Sequence, residues 1–139
     1  MHRTDPSVAE ETTMAKTALG MSRRTLVQAL GGGAALFGVT GVLTPRALGA
    51  AYGVPPSPFT TQLLRLFGSR MLALSAWTFT ARTEEEVDRV LAVSVGLNLV
   101  DTVTALAAGR ETGRATAVRA AATSTTFAAL SIAVRSLEN

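Results

Sequence analysis

The chain has 139 residues, enough for one domain, and only 17% of them are charged against about 25% in an ordinary soluble domain. It holds no Cys and one His, His2, so disulfides, thiolate chemistry and Ser/His/Asp catalysis are excluded, and no ligand set exists for a haem or a Cys-bound metal. The net charge of +3 comes from thirteen basic residues, all but Lys16 being Arg, spread along the chain without a basic stripe or interleaved aromatics, so nucleic acid is not an expected partner.

Residues 1–22 are polar, mixed in charge and without helical periodicity. They are expected to form a disordered tail, within which Met14 and Met21 are alternative starts to Met1. The remaining residues, 23–139, read as one domain built on four stretches almost free of charge, at 26–43, 63–81, 87–108 and 115–135. A transmembrane helix needs roughly 20 mainly apolar residues to cross about 30 Å of hydrocarbon, and each stretch comes close. A water-facing helix would instead show a polar face at every turn. The expected fold is therefore all-α, an antiparallel four-helix transmembrane bundle. The abundance of Arg, Ala, Thr, Val and Gly points to a GC-rich bacterial genome, and so to a bacterial cell membrane.

The first helix follows Arg23-Arg24 and ends before Pro45. Its small residues include the pairs Gly31/Ala35 and Ala34/Gly38, whose i,i+4 spacing lets helix backbones approach closely in lipid. The link 46–61 carries Gly49, Gly53, Pro55, Pro56 and Pro58 and is expected to be non-helical, with Tyr52 and Phe59 at headgroup level. After the second helix, Thr83-Glu84-Glu85-Glu86 fits a capping box that starts the third. The third stops at Gly109, and GRETGR at 109–114 makes a tight charged turn into the fourth. Along the fourth helix, Ala117, Ala121, Thr125, Ala129 and Ala133 form a small-residue stripe at four-residue spacing, expected to pack closely.

Polar groups inside the apolar stretches single out the candidate site. The third helix offers five Val and four Leu between Val90 and Leu106. They contribute about −3 to −5 kcal/mol to insertion, against about +2.5 to +3.5 for an ionised Asp at mid-helix. Asp101 therefore needs a partner or a proton. Ser94, Asn98, Asp101 and Thr102 share one face, expected to point into the bundle, while Val93, Leu97, Val100 and Thr104 lie away from it. On the second helix Arg70 is seven residues from Leu63, and Asp101 is seven from Ala108, which puts the two at equal depth in an antiparallel pair. Arg119 enters the fourth helix from the same side and competes for Asp101. The candidate intramembrane polar cluster is thus Arg70, Asp101, Asn98 and Arg119. It reads as a pathway or binding pocket, as a buried salt bridge that fixes helix register, or as Arg65, Arg70 and Arg119 snorkelling to the headgroups. No catalytic residue, cofactor site or metal site is read from the sequence.

Four segments together carry a family resemblance: the glycine-rich first helix ending in Pro45, Tyr52-Gly53-Val54-Pro55, LLRLFGSRMLALSAW at 63–77, and GLNLVDTVTALAAG at 96–109. Over residues 24–135 the chain resembles a family of small four-helix integral membrane proteins of bacteria, a domain of unknown function. The matching positions are Gly68, Arg70, Asp101 and Gly109. The resemblance implies a fold and no reaction. A more distant similarity, to four-helix membrane proteins of quinone or thiol redox complexes, concerns the fold alone.

The expected function is that of a multi-pass membrane protein, a non-enzymatic small bundle or accessory subunit in a bilayer, as a homo-oligomer or in a larger membrane complex. One alternative is a small transport or quinone/lipid-binding redox subunit with a pocket around Arg70 and Asp101. Another is an exported protein, because Ser22-Arg23-Arg24-Thr25-Leu26-Val27 resembles a twin-arginine signal and Ala47-Leu48-Gly49 offers a cleavage site that would remove 22–49. With the N-terminus inside, six basic residues flank the cytoplasmic side against three to five on the other, which favours N-in and C-in.

Overall fold

The computed structural model describes residues 17–18 and 20–137, so most of the 1–22 tail lies outside the described residues. Two short strands, β1 (Thr17–Ala18) and β2 (Met21–Ser22), pair antiparallel before the first helix. Four long helices follow: α1 (Arg23–Leu43), α3 (Pro58–Thr80), α4 (Glu84–Ala107) and α6 (Arg114–Ser136). Two short ones fill the links, α2 (Pro45–Tyr52) and α5 (Gly109–Thr112).

The helix starts follow local chemistry. Ser22 caps α1 by accepting the Thr25 N–H at 3.2 Å, and Ser57 caps α3 by accepting the Thr60 N–H at 3.0 Å. Thr83 and Glu86 form the full capping box on α4, each side chain accepting the other residue's backbone N–H at 3.1 Å. The link 46–61 is not wholly non-helical, because Pro45 and Pro58 each stand at the start of a helix. Proline's missing N–H costs nothing there and its fixed φ suits the first turn. Pro45 thus opens α2, and α3 starts five residues before Leu63. Gly53, at φ +73°, closes α2, and Gly113, at φ +91°, turns the chain from α5 into α6.

The long helices pack as two tight pairs, α1 along α3 and α4 along α6, with sparser contact between the pairs. Glycine makes the first pair possible. A Cβ on Gly68 would lie 2.8 Å from the Gly38 carbonyl oxygen and 2.8 Å from the Val42 nitrogen, and one on Gly41 would lie 2.9 Å from the Gly68 Cα. The backbones are in direct contact at this crossing. The buried residues of α1 (Val27, Gly31, Ala34, Gly38 and Gly41) alternate steps of four and three. That spacing keeps them in one seam facing α3. Ser75 on α3 ties the seam by donating to the Gly31 carbonyl at 2.8 Å.

The small-residue stripe on α6 is only half used. Ala117 and Ala121 are buried, but Thr125, Ala129 and Ala133 are exposed, and the buried row continues through Ala128, Ser131 and Val134. A strict four-residue step advances about 400°, so the stripe drifts some 40° per step around the helix. A straight partner follows the steps of three and four instead.

At the end of the molecule carrying Arg23, the pairs meet in a small core of Val27, Leu91 and Val134, with Leu26, Leu30 and Val87 against it. Three helices, Arg23–Leu43, Glu84–Ala107 and Arg114–Ser136, are long and apolar enough to cross a membrane. The fourth long helix, α3, with Arg65 and Arg70 inside it, is not among them, so the 63–81 stretch does not join the other three.

Candidate functional site

Away from the Arg23 end the two helix pairs separate, and a cavity of about 380 Å³ opens between them. Its walls come from every long helix: Phe37 on α1, Phe67 and Met71 on α3, Asn98 and Asp101 on α4, and Phe127 on α6. Leu48 and Tyr52 of α2 line it as well. Phe37 and Phe127 meet edge to face across the gap, ring centroids 5.7 Å apart. Apolar side chains make up most of the wall, and the polar ones lie mainly on α4 and α6.

The structure brings Arg70 and Asp101 together. From the middle of α3, the Arg70 guanidinium forks onto the Asp101 carboxylate: Nη1 donates to Oδ1 at 3.2 Å and Nη2 donates to Oδ2. Two parallel bonds of this kind suit the planar guanidinium. Arg70 also lies over the Phe67 ring, its Cζ 5.2 Å from the centroid. Its Nε is buried without an acceptor. The pair is partly shielded, with side-chain exposures of 35% for Arg70 and 24% for Asp101.

Asn98, one turn before Asp101, also lines the cavity, and its Nδ2 donates to the Ser94 carbonyl at 2.8 Å. Arg119 is not in this group. Its Nη1 donates to the Ala51 carbonyl at 3.3 Å, near the last turn of α2. The cause is α2 itself: a helical link presents carbonyls at its C-terminal end, and an arginine satisfies them. The polar face of α4 turns inward through Ser94, Asn98, Asp101 and Thr102, all half-buried, while Val93 and Val100 are exposed. Leu97 is half-buried as well, and Thr104 reaches the cavity wall. The inward face is therefore wider than the polar residues alone mark out.

Two features escape a reading of the sequence alone. The Tyr52 hydroxyl donates to Thr123 Oγ1 at 3.0 Å and joins α2 to α6 beside the cavity. Its only signal is position, as the sole Tyr next to the glycine that ends α2. Arg23, 12% exposed, donates to Glu84, to Asp88 at 2.7 Å and to the Val134 carbonyl at 3.3 Å, which ties α1 to α4 and α6. Arg135 adds a longer contact to Asp88 at 3.9 Å. The clue was the acidic first turn of α4, which a capping reading alone accounts for.

A family model described as a domain of unknown function, DUF4267, matches residues 31–134. That range takes in the cavity, the Arg70–Asp101 pair and nearly all of the four long helices. No curated protein and no solved structure matches the chain.

Proposed function

The chain belongs to the DUF4267 family, and on that footing we propose that it is a non-enzymatic bundle of four transmembrane helices that holds a mainly apolar molecule with one hydrogen-bonding end. The observation that carries this reading is the cavity between the helix pairs. Its volume of about 380 Å³ falls in the range of small-molecule sites, which are largely apolar with a few polar groups that fix orientation. Asn98, Asp101 and the Tyr52–Thr123 pair supply those groups.

Lipid as the solvent accounts for the outer surface, where Leu36, Leu43, Val100, Val103, Leu106 and Ile132 are exposed. With Arg70 neutralised by Asp101 and Arg65 near enough to one end of α3 to snorkel, α3 serves as the fourth span. Helix α1 stays with the mature chain in this reading, because its glycines interlock with α3 and the family match begins inside it. The membrane is that of a bacterial cell. The flanking basic residues, six on the N-terminal side against three to five on the other, favour an inside N-terminus.

Native mass spectrometry of the chain purified in mild detergent tests the ligand. A single retained apolar adduct is expected, and Ala120→Phe, which fills one cavity wall, should remove it without lowering the melting temperature by more than a few degrees. A chain with no adduct, or an A120F variant with an unchanged one, refutes the reading.

A further inference from the structure

Charge is distributed differently at the two ends of the bundle. Among the described residues, near Arg23 there are five arginines (Arg23, Arg24, Arg82, Arg89, Arg135) and four acids (Glu84, Glu85, Glu86, Asp88), a balance of +1. Several of them are paired: Arg23 with Glu84 and Asp88, Arg89 with Glu85, and Arg135 with Asp88. The opposite end holds Arg46, Arg65, Arg110, Arg114 and Arg119 against Glu111 alone, a balance of +4. Among the described residues no ion pair forms there, since Arg23, Arg70, Arg89 and Arg135 account for all of them.

Two of these unpaired arginines share a groove. Arg46 from the first turn of α2 and Arg65 from α3 line an open concavity of about 650 Å³, with Thr61 and Gln62 between them. The Ser57 hydroxyl, at its rim, already accepts the Thr60 N–H and shares a hydrogen bond with the Thr60 hydroxyl. An incoming anion would therefore be held by side chains rather than by the start of α3. Two guanidinium forks and two neutral donors match a tetrahedral oxyanion better than a single carboxylate. The groove lies where α1 ends and α3 begins, which in a spanning bundle is headgroup level.

We infer that the Arg46–Arg65 groove binds the phosphate of an anionic phospholipid, seating this end of the bundle on charged headgroups. The inference rests on the transmembrane reading and is independent of any molecule in the inner cavity. An arginine held against an anionic headgroup contributes about a fivefold gain in binding, so losing both lowers affinity by about 25-fold.

The test is native mass spectrometry of the full chain, titrated separately with phosphatidylglycerol, phosphatidylcholine and inorganic phosphate. Phosphatidylglycerol is expected to bind more tightly than phosphatidylcholine, and R46Q/R65Q should weaken it by about 25-fold. R110Q/R114Q removes the same charge from the same end but touches no lipid seated in the groove, and should weaken binding far less than R46Q/R65Q does. Both pairs are exposed and make no ion pair among the described residues, and unchanged circular dichroism would show that each variant is folded. Equal losses in the two double variants overturn the groove. Inorganic phosphate binding with the same dependence on Arg46 and Arg65 overturns the lipid as its source. Carbonate washing of native membranes separates the underlying premise: a chain released by it loses the spanning reading, whereas a retained chain without phosphatidylglycerol preference loses only the groove.

Discussion

Replacing Asp101 by Leu takes away the only acceptor of the Arg70 fork and leaves a guanidinium whose Nε already lacks a partner. Replacing Arg70 by Leu leaves the carboxylate alone on α4. A surface pair contributes about 0–1 kcal/mol, while severing a buried one costs about 3–5. Exposures of 35% and 24% place this pair between those limits, so each single change should cost about 1–3 kcal/mol. The double variant R70L/D101L leaves no unpaired charge, and apolar side chains in place of a buried pair are often neutral or better. It should return to within about 1 kcal/mol of the parent. Thermal unfolding by circular dichroism in one detergent reads the cycle, at about 3–6 °C per kcal/mol for a chain this size. Losses that simply add in the double variant would show that the two side chains do not stabilise each other, and the equal-depth argument would fall with them.

Other perturbations separate further parts of the structure. Gly68→Ala places a Cβ against α1 backbone atoms at 2.8–2.9 Å and should cost about 1–3 kcal/mol. Gly32→Ala meets open space and should raise the melting temperature through a gain of up to about 1 kcal/mol. Arg23→Gln loses its bonds to Glu84, Asp88 and Val134 and should destabilise by about 1–3 kcal/mol, whereas exposed Arg24→Gln should stay within about 0.5. Equal loss of membrane-bound protein in both variants, with a mature N-terminus beyond residue 49 by mass spectrometry, would instead favour an export signal. Thr83→Ala removes the α4 cap and should cost about 1 kcal/mol in the same unfolding assay.

The long helices were legible because an apolar run of about twenty residues has few alternatives, and the α4 capping box because its two hydrogen bonds are set by residue type and spacing. Arg70 and Asp101 could be placed opposite each other by counting residues from the helix ends, since helical rise is constant. What resisted reading depended on α2. Proline signals a break and a start alike, and only the following residues decide; taking Pro45 as a break hid the helix whose carbonyls draw Arg119 away from Asp101. The same helix turns Tyr52 inward to Thr123. Gly68 is visible in the sequence, but its contact with Gly38 and Gly41 depends on how two helices cross, which no local spacing determines. The cavity belongs to the same class of feature, because a gap between helix pairs is a property of their separation and not of any one residue.

The arrangement of the two helix pairs also has a mechanical consequence. Close backbone packing locks α1 to α3, α4 packs along α6, and a charged clasp and a small apolar plug near Arg23 hold the two pairs to one another at that end. That end acts as a fulcrum. With 21 residues, α1 rises about 31 Å, so a tilt of 5° about its Arg23 end carries Leu43 about 3 Å sideways. Such a lever widens the cavity most at its far mouth, where the Tyr52–Thr123 and Arg119–Ala51 bonds latch α2 to α6, and it pulls on the Arg70–Asp101 fork that joins α3 to α4. A load that spreads the helix pairs therefore falls first on these side-chain links and last on the Arg23 clasp.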